Sequence, residues 1–316
     1  MSATPGHARA LLQIHFCVLL WGFTAILGKL ITLPAVALVL WRMGLVAAVL
    51  LMLPRVWRAL RALPARLWLA YAGIGVLVAL HWLTFYGAIK LANASVAATC
   101  IALAPAFVAI VEPVLTGRRF RARELLLGVA VVPGVALVVG GIPERMHLGL
   151  WVGIASALLV ALFGALNKRV VHHADALTVT ALELGAGALF LAAVAPWLVA
   201  GGSAYAVPGA TDAMLLATLA FVCTLLPFAL ALVALRELSA FTAQFAVNLE
   251  PVYAIVLAIV LLGEQHEVSP RFYLGVTIVL AAVFAQPLLR ARAQRTDAGH
   301  VAESKALGES PADVGE

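Results

Sequence analysis

The sequence predicts an all-α integral membrane protein with ten transmembrane helices, arranged as two inverted five-helix repeats. Three observations predict it: the composition, ten apolar runs separated by basic loops, and a similarity between the two halves. Hydrophobic residues make up 64% of the 316-residue chain and charged residues only 11%, whereas a soluble domain carries about 25% charged residues. A water-soluble fold of this size cannot bury so much apolar surface, and a bilayer can solvate it.

Ten stretches of the chain approach the length of a membrane span, which is about 20 apolar residues in a helix. The first begins close to the N-terminus and has no small-residue cleavage site after it, so it is predicted to be a retained helix rather than a signal peptide. The stretches lack the alternation of membrane strands. They comprise residues 10–31, 34–53, 67–89, 95–115, 124–140, 148–166, 176–200, 211–235, 240–262 and 271–289.

Basic residues alternate between the loops as the positive-inside rule describes. A cytoplasmic N-terminus puts fifteen Lys and Arg residues on the inner side and four on the outer side. The protein is therefore predicted to lie in the inner membrane with both termini in the cytoplasm. Anionic lipids are predicted to contact the Arg-rich cytoplasmic loops. Because the net charge of +6 lies in these short loops, it does not predict nucleic-acid binding. Residues 290–316 are predicted to be a disordered cytoplasmic tail, and a homodimer is left open.

The two halves align with each other along the chain. Residues 104–107 match residues 250–253 at an offset of 146, Gly117 matches Gly263 at the same offset, and Arg42 matches Glu183 at an offset of 141. The predicted repeats are residues 10–141 and 148–289. Because each has an odd number of crossings, the two insert with opposite orientation. Inverted repeats are typical of secondary transporters, whose binding site lies near the midplane between the repeats.

Several short motifs have a familiar order. They are Trp21-Gly22 with Lys29, Trp41-Arg42, Asn93-Ala94-Ser95-Val96-Ala97, and the stretch from Pro251 to Gly263-Glu264. Over roughly residues 11–289 the chain resembles the EamA-type branch of the drug/metabolite transporter superfamily. One departure is Gly117-Arg118, where the family usually has Gly-Glu. The resemblance implies a ten-helix carrier that moves small metabolites, often by export, and leaves the substrate open.

Glu250 is the first candidate site residue, because it lies about 15 Å into the ninth run, at the predicted midplane. An ionisable side chain there costs about 2.5–3.5 kcal/mol on insertion scales, which makes it a functional candidate. Pro251 follows it and leaves the Val247 carbonyl without its helical donor. We predict a site for a proton or a substrate ammonium group. The alternative is a structural acid bonded to a neighbouring helix.

Arg42 and Glu183 are the second candidates, since they are repeat mates at mirrored depths. Roughly 8 Å separates their predicted Cα levels. One interpretation is a buried salt bridge. In the other, Arg42 binds a substrate carboxylate, and Glu183 orients the substrate or gates the site.

The remaining candidates are weaker. His81 is a predicted site residue, with a hydrogen-bonded core histidine as the alternative. Five residues are predicted cavity liners, the aromatic ones with core packing or interfacial anchoring as the alternative: Tyr86, Trp21, Trp41, Gln244 and Asn248. Prolines inside three runs predict hinges or kinks: Pro105, Pro227 and Pro251.

The leading hypothesis is a secondary carrier for amino-acid-like or related polar metabolites, exporting them by alternating access, with proton coupling through Glu250 as an option. The chain contains no P-loop, H-E-x-x-H or G-x-S-x-G motif, so neither ATP-driven transport nor an intramembrane enzyme is favoured. No cofactor or metal site is predicted, and Cys17, Cys100 and Cys223 have no metal-ligand spacing. A channel or a non-transporting membrane binding protein remains the alternative.

Overall fold

The computed structural model describes residues 5–116, 130–170, 173–234, 246, 247, 249–282, 284 and 285, and all its regular elements within these ranges are helical. Among the described residues, five helices are long and apolar enough to cross a membrane, or six if one bent pair is a single span. The same part of the chain contains four shorter apolar helices. The prediction of an all-helical membrane protein is thus confirmed, and the number of ten spans stays a prediction.

The described residues of the first predicted repeat and the segment before it form seven α-helices. They are α1 (Pro5–Leu30), α2 (Ala35–Leu51), α3 (Pro54–Ala62), α4 (Ala65–Leu91), α5 (Ala94–Ile101), α6 (Ala104–Thr116) and α7 (Val132–Gly141). Helices α5 and α6 together form one apolar segment, Ala94–Leu115. The break between the two helices lies just before Pro105. That position fits the missing N–H of proline, and a hinge there stays a prediction.

The second predicted repeat contains α8 (His147–Val170), α9 (Ala176–Leu198), α10 (Ala210–Ala217), α11 (Leu226–Ala234), α12 (Glu250–Leu257) and α13 (Pro270–Ala282). A π-helical turn, Thr218–Leu225, joins α10 to α11 and ends just before Pro227, and a second one, Ala258–Leu262, follows α12. Pro251 lies in the first turn of α12, where a proline disturbs no helical hydrogen bond. Hinge roles for these two prolines also stay predictions.

A helix replaces one predicted loop. The segment after α2 is α3, which bends away from α2 by 92°. Its Val56 is buried and its arginines are exposed, so one face packs on the protein while the other carries charge. The apolar-run analysis missed α3 because nine residues are too few for a span and half of them are polar or small.

Helices from the two predicted repeats pack against each other rather than forming separate bundles. The long helix α4 lies between α8 and α9, while α1 packs on α11 and α12. The core between them contains fully buried aromatic side chains, including Tyr71, Tyr86 and Phe272. Any site between α1, α4 and α12 therefore lies between the two predicted repeats.

Gly75 sets the distance between α4 and α9. A Cβ atom at this position would lie 2.1 Å from the Glu183 carbonyl oxygen and 2.8 Å from its Cα atom. Both obstacles are backbone atoms, so the helices would have to separate. Gly75 is thus a small-residue contact of the kind that lets membrane helices approach closely.

Gly75→Ala is expected to lower the stability of the purified protein by about 1–3 kcal/mol, as overpacking does. Gly73, two residues away on the same helix, has nothing within 4 Å of a built Cβ, so Gly73→Ala is the matched control and is expected to be neutral or slightly stabilising. Thermal unfolding in detergent measures both. Equal midpoints for the two variants would contradict the close contact.

Candidate functional site

A small cavity lies where the two predicted repeats meet. Its walls come from α1, α4, α5 and α12 and include Trp21, Phe85, Ile101, Glu250 and Pro251. The cavity encloses about 210 Å³ of empty space counted out to its mouth, with room for about one water molecule at its centre. Two of the predicted site residues, Trp21 and Glu250, thus line one cavity.

Arg42 is buried in the core, with 4% of its surface exposed. Its Nε donates to Thr224 Oγ1 at 3.0 Å and its Nη1 donates to the Tyr86 hydroxyl at 2.6 Å. The guanidinium lies over the face of Trp82, with Cζ 3.8 Å from a ring centroid. A desolvated cation–π contact of this kind is worth about 2 kcal/mol. These neighbours hold the guanidinium in one orientation.

Glu250 is the acidic residue whose charge acts on Arg42. An electrostatic interaction links the two groups, and Tyr86 and Cys223 take part in the same cluster. The buried guanidinium of α2 and the half-buried carboxyl group of α12 therefore lie close enough to interact electrostatically. A molecule with a carboxylate at one end and an ammonium group at the other has complementary charges.

Glu183 does not pair with Arg42, since no ion pair joins them in the described part of the chain. Its side chain is 7% exposed, and its Oε2 accepts a hydrogen bond from Asn167 Nδ2 at 3.3 Å. The predicted repeat symmetry aligned the two residues in sequence, but the side chains have different partners. Arg42 and Glu183 therefore do not form the predicted buried salt bridge in this conformation.

His81 joins α4 to α8. Its Nδ1 lies 2.8 Å from Ser156 Oγ and 3.1 Å from the Ser156 carbonyl, while Ser156 Oγ donates to the His81 carbonyl at 3.0 Å. The ring is also stacked with Phe85 and lies tilted against Phe163. These contacts are those of the hydrogen-bonded core histidine, and His81 is not among the residues that line the cavity.

The other predicted liners separate in space. Tyr86 is fully buried and bonds Arg42, whereas Trp41 Nε1 donates to the Ala206 carbonyl at 3.0 Å, away from the cavity. Gln244 and Asn248 lie outside the described residues. Their predicted role as cavity liners therefore stays a prediction.

Glu264 makes a contact that the sequence analysis missed. It is fully buried, its Oε1 accepts from the Ala94 amide at 2.9 Å, and its Oε2 accepts from the Ser95 amide at 2.8 Å. Asn93 caps the same helix end by accepting from the Val96 amide. A carboxylate that receives two amides at a helix N-terminus also interacts favourably with the helix dipole. We call this contact the α5 clamp.

Gly263 makes the clamp possible. Its φ of 68° lies in the left-handed region, which glycine adopts without steric cost, and the turn brings Glu264 back toward α5. The clamp thus joins two segments that stood out as separate motifs, Asn93-Ala94-Ser95 and Gly263-Glu264. Their spatial contact is not visible in either motif, because 170 residues separate Ala94 from Glu264.

Thr224, Trp82 and Asn167 were also missed. Each is one unremarkable residue within an apolar run, and its role comes from the partner that it meets on another helix.

Comparison with known proteins defines the family. The sequence model of the EamA-like transporter family matches residues 8–140 and 147–285. The chain belongs to this family. An EamA-family chain is a multi-pass membrane transporter of small metabolites and not an enzyme, which confirms those predictions.

Two individual proteins are similar to this EamA-family chain. The "Probable terminal-alkyne amino-acid exporter" of Streptantibioticus cattleyicolor is 27% identical over 176 residues, which cover 54% of this chain and 57% of that protein. The match therefore spans little more than half of the relative's length. A solved crystal structure of another protein has the same fold, with a TM-score of 0.60, 17% identity, and coverage of 90% of this chain and 98% of that one.

Proposed function

We propose that the chain is a secondary carrier that exports amino-acid-like metabolites by alternating access. Its substrate site would lie between Arg42 and Glu250. The observation that carries the proposal is the Glu250 carboxyl group in the wall of the cavity between α1, α4, α5 and α12, with the buried Arg42 within electrostatic range of it. In this proposal Arg42 binds the substrate carboxylate and Glu250 binds the ammonium group. The name of the amino-acid exporter from Streptantibioticus cattleyicolor agrees with such a substrate.

Arg42 has the hydrogen-bonding capacity for this role. A guanidinium has five N–H donors, so bonds to Thr224 and Tyr86 are compatible with a bound carboxylate. Because the cavity centre has room for about one water molecule, substrate entry requires α1, α4, α5 and α12 to separate. Alternating access supplies such a movement.

The α5 clamp supports a mechanism with unequal gates. In the proposed ten-helix topology, with both termini in the cytoplasm of the inner membrane, the clamp lies on the outer side. At the repeat offset of 146, the mate of Glu264 is Arg118, which lies outside the described residues. An arginine has no acceptor for backbone amides, so this position is not expected to provide an equivalent clamp on the inner side. We infer that the resting carrier is closed to the outside.

Counterflow in proteoliposomes tests the proposal. Vesicles preloaded with one amino acid are expected to take up the labelled compound against its gradient, and Glu250→Gln is expected to lose at least about 90% of that exchange, because an amide cannot balance an ammonium charge. Glu144, an exposed acid, provides the control Glu144→Gln, which is expected to retain exchange. A channel would show uptake without saturation or counterflow, and a non-transporting binding protein would show neither.

The exposed face of α3 is suited to binding lipid headgroups. Arg55, Arg58 and Arg61 are exposed, as is Trp57 at 48%, while the Arg61 guanidinium lies 5.9 Å from the Trp57 ring centroid. A basic amphipathic helix lying across the end of a span is suited to anionic headgroups. We propose that α3 binds anionic phospholipid at the cytoplasmic surface.

Arg58→Gln combined with Arg61→Gln is expected to reduce the preference of the purified protein for phosphatidylglycerol over phosphatidylcholine roughly 30-fold, at about 1 kcal/mol per basic residue. Native mass spectrometry of the retained lipids measures it. Arg145→Gln with Arg271→Gln removes two exposed arginines elsewhere and is expected to leave the preference unchanged. An equal loss in both double variants would contradict a site on α3.

A further inference from the structure

The contact between α8 and α9 contains two buried oxygen atoms that lack a partner. Glu183 Oε1 and Asn167 Oδ1 have no hydrogen-bond partner among the described residues. The same two side chains are already joined by the bond from Asn167 Nδ2 to Glu183 Oε2 at 3.3 Å. Each unpartnered buried acceptor is unfavourable, because it has lost its water and gained nothing in return.

A single proton would satisfy both atoms. A carboxyl group and an amide are planar groups of similar size, and they form two parallel hydrogen bonds when the carboxyl group is protonated. In that arrangement the amide N–H donates to one carboxyl oxygen and the carboxyl O–H donates to the amide oxygen. The structure already contains the first of these bonds, from Asn167 Nδ2 to Glu183 Oε2. In the second bond, Glu183 Oε1 would carry the donated hydrogen and Asn167 Oδ1 would accept it, and these are the two atoms that lack a partner.

We propose that Glu183 and Asn167 form a proton-binding site in which a proton on Glu183 Oε1 is donated to Asn167 Oδ1. The proton is taken from water and returned to it, and no other bond is made or broken. As a coupling site this rests on the proposed carrier function. As a binding site it stands on the acid–amide contact alone. In this arrangement Glu250 binds the substrate ammonium group, and Glu183 binds the proton.

Among the described residues, no cationic side chain pairs with Glu183 in place of the proposed proton. Helices α2, α3 and α4 and the 3-10 helix Ala200–Tyr205 pack on α9. On α4, Tyr71 interacts electrostatically with Glu183 but donates its hydroxyl hydrogen to a backbone carbonyl. Arg42 on α2 is bound by Tyr86 and Thr224, and the arginines of α3 are exposed. On α8, Arg169 donates to a backbone carbonyl, and Tyr205 of the 3-10 helix does the same.

Infrared difference spectroscopy of the purified full-length protein across a pH series tests the site. The carbonyl stretch of a protonated carboxylic acid is expected in the wild type and is expected to be absent in Glu183→Gln. The glutamine keeps the two-bond pairing with Asn167, so the variant is expected to fold. Glu250→Gln is the control for the carboxyl group that lines the cavity and should retain the Glu183 band. Asn167→Leu should retain the band but shift it, because the hydrogen-bond acceptor is gone.

Two results would overturn the site. One is a wild-type spectrum from which Glu183→Gln removes no carboxylic-acid band. The other is loss of the band when Na⁺ is added at constant pH, which would assign the two oxygens to a metal cation. In proteoliposomes, Glu183→Gln is expected to retain counterflow and lose accumulation driven by a pH gradient, and retained accumulation would overturn the coupling role. If the wild type shows no counterflow, the carrier proposal fails, while the spectrum still decides the proton site.

Discussion

Arg42→Lys is expected to raise the KM for counterflow by about 100-fold. The lysine keeps the positive charge but loses the planar fork, so the contact with Trp82 changes and at least one of the bonds to Thr224 and Tyr86 is lost. A hydrogen bond to a charged group contributes about 1.5–3 kcal/mol, which corresponds to roughly a 10- to 150-fold change in affinity. The loss of a bidentate carboxylate contact acts in the same direction. Initial rates over a range of substrate concentrations measure the effect.

Two variants separate substrate binding from folding. Tyr86→Phe removes only the acceptor for Arg42 Nη1 and is expected to raise KM about tenfold. Arg58→Lys changes an exposed arginine and is expected to leave KM unchanged. A wild-type KM for Arg42→Lys in protein that elutes as a single species would rule out Arg42 as the carboxylate site. The salt-bridge alternative with Glu183 is independently disfavoured, because the two side chains have other partners.

Glu264→Ala is expected to lower stability by about 3 kcal/mol and to open the proposed outer side. The two bonds from the Ala94 and Ser95 amides are charge-assisted, and bonds of this type contribute about 1.5–3 kcal/mol each without being fully additive. Removing them leaves the first amides of α5 without their acceptor in a buried place. Thermal unfolding in detergent measures the stability.

The native cysteines provide a direct readout of opening. Cys100 lies on α5 and is buried, so release of this helix is expected to expose it to a membrane-impermeant thiol reagent. In a background with Cys17→Ala and Cys223→Ala, Glu264→Ala is expected to label at least about tenfold faster than the parent protein, as expected for a gate with a few kcal/mol of bias. Glu144→Ala changes an exposed acid and should label at the parent rate. Unchanged labelling in Glu264→Ala would show that the α5 clamp is structural and not a gate.

Sequence patterns located several of the residues that matter here but not their partners. Glu250 and Arg42 stood out because an ionisable side chain in an apolar run is costly and therefore rarely there without a role. Their electrostatic interaction was not predictable, since residues 42 and 250 lie far apart in the chain. Glu183 was singled out for the same reason as Arg42, yet repeat symmetry suggested the wrong partner. Repeat mates share a backbone position and not a side-chain environment.

The sequence by itself determined that the protein lies in a lipid bilayer and that it is all-helical. Composition and run length are local quantities, and in a bilayer every backbone polar group must be satisfied within its own helix. Only the tertiary structure decided which side chains meet: Arg42 with Trp82 and Tyr86, Glu183 with Asn167, and Glu264 with the start of α5. Such contacts depend on how helices distant in sequence pack and rotate against one another. A single hydrophobicity pattern does not encode that arrangement when the helices are apolar on all sides.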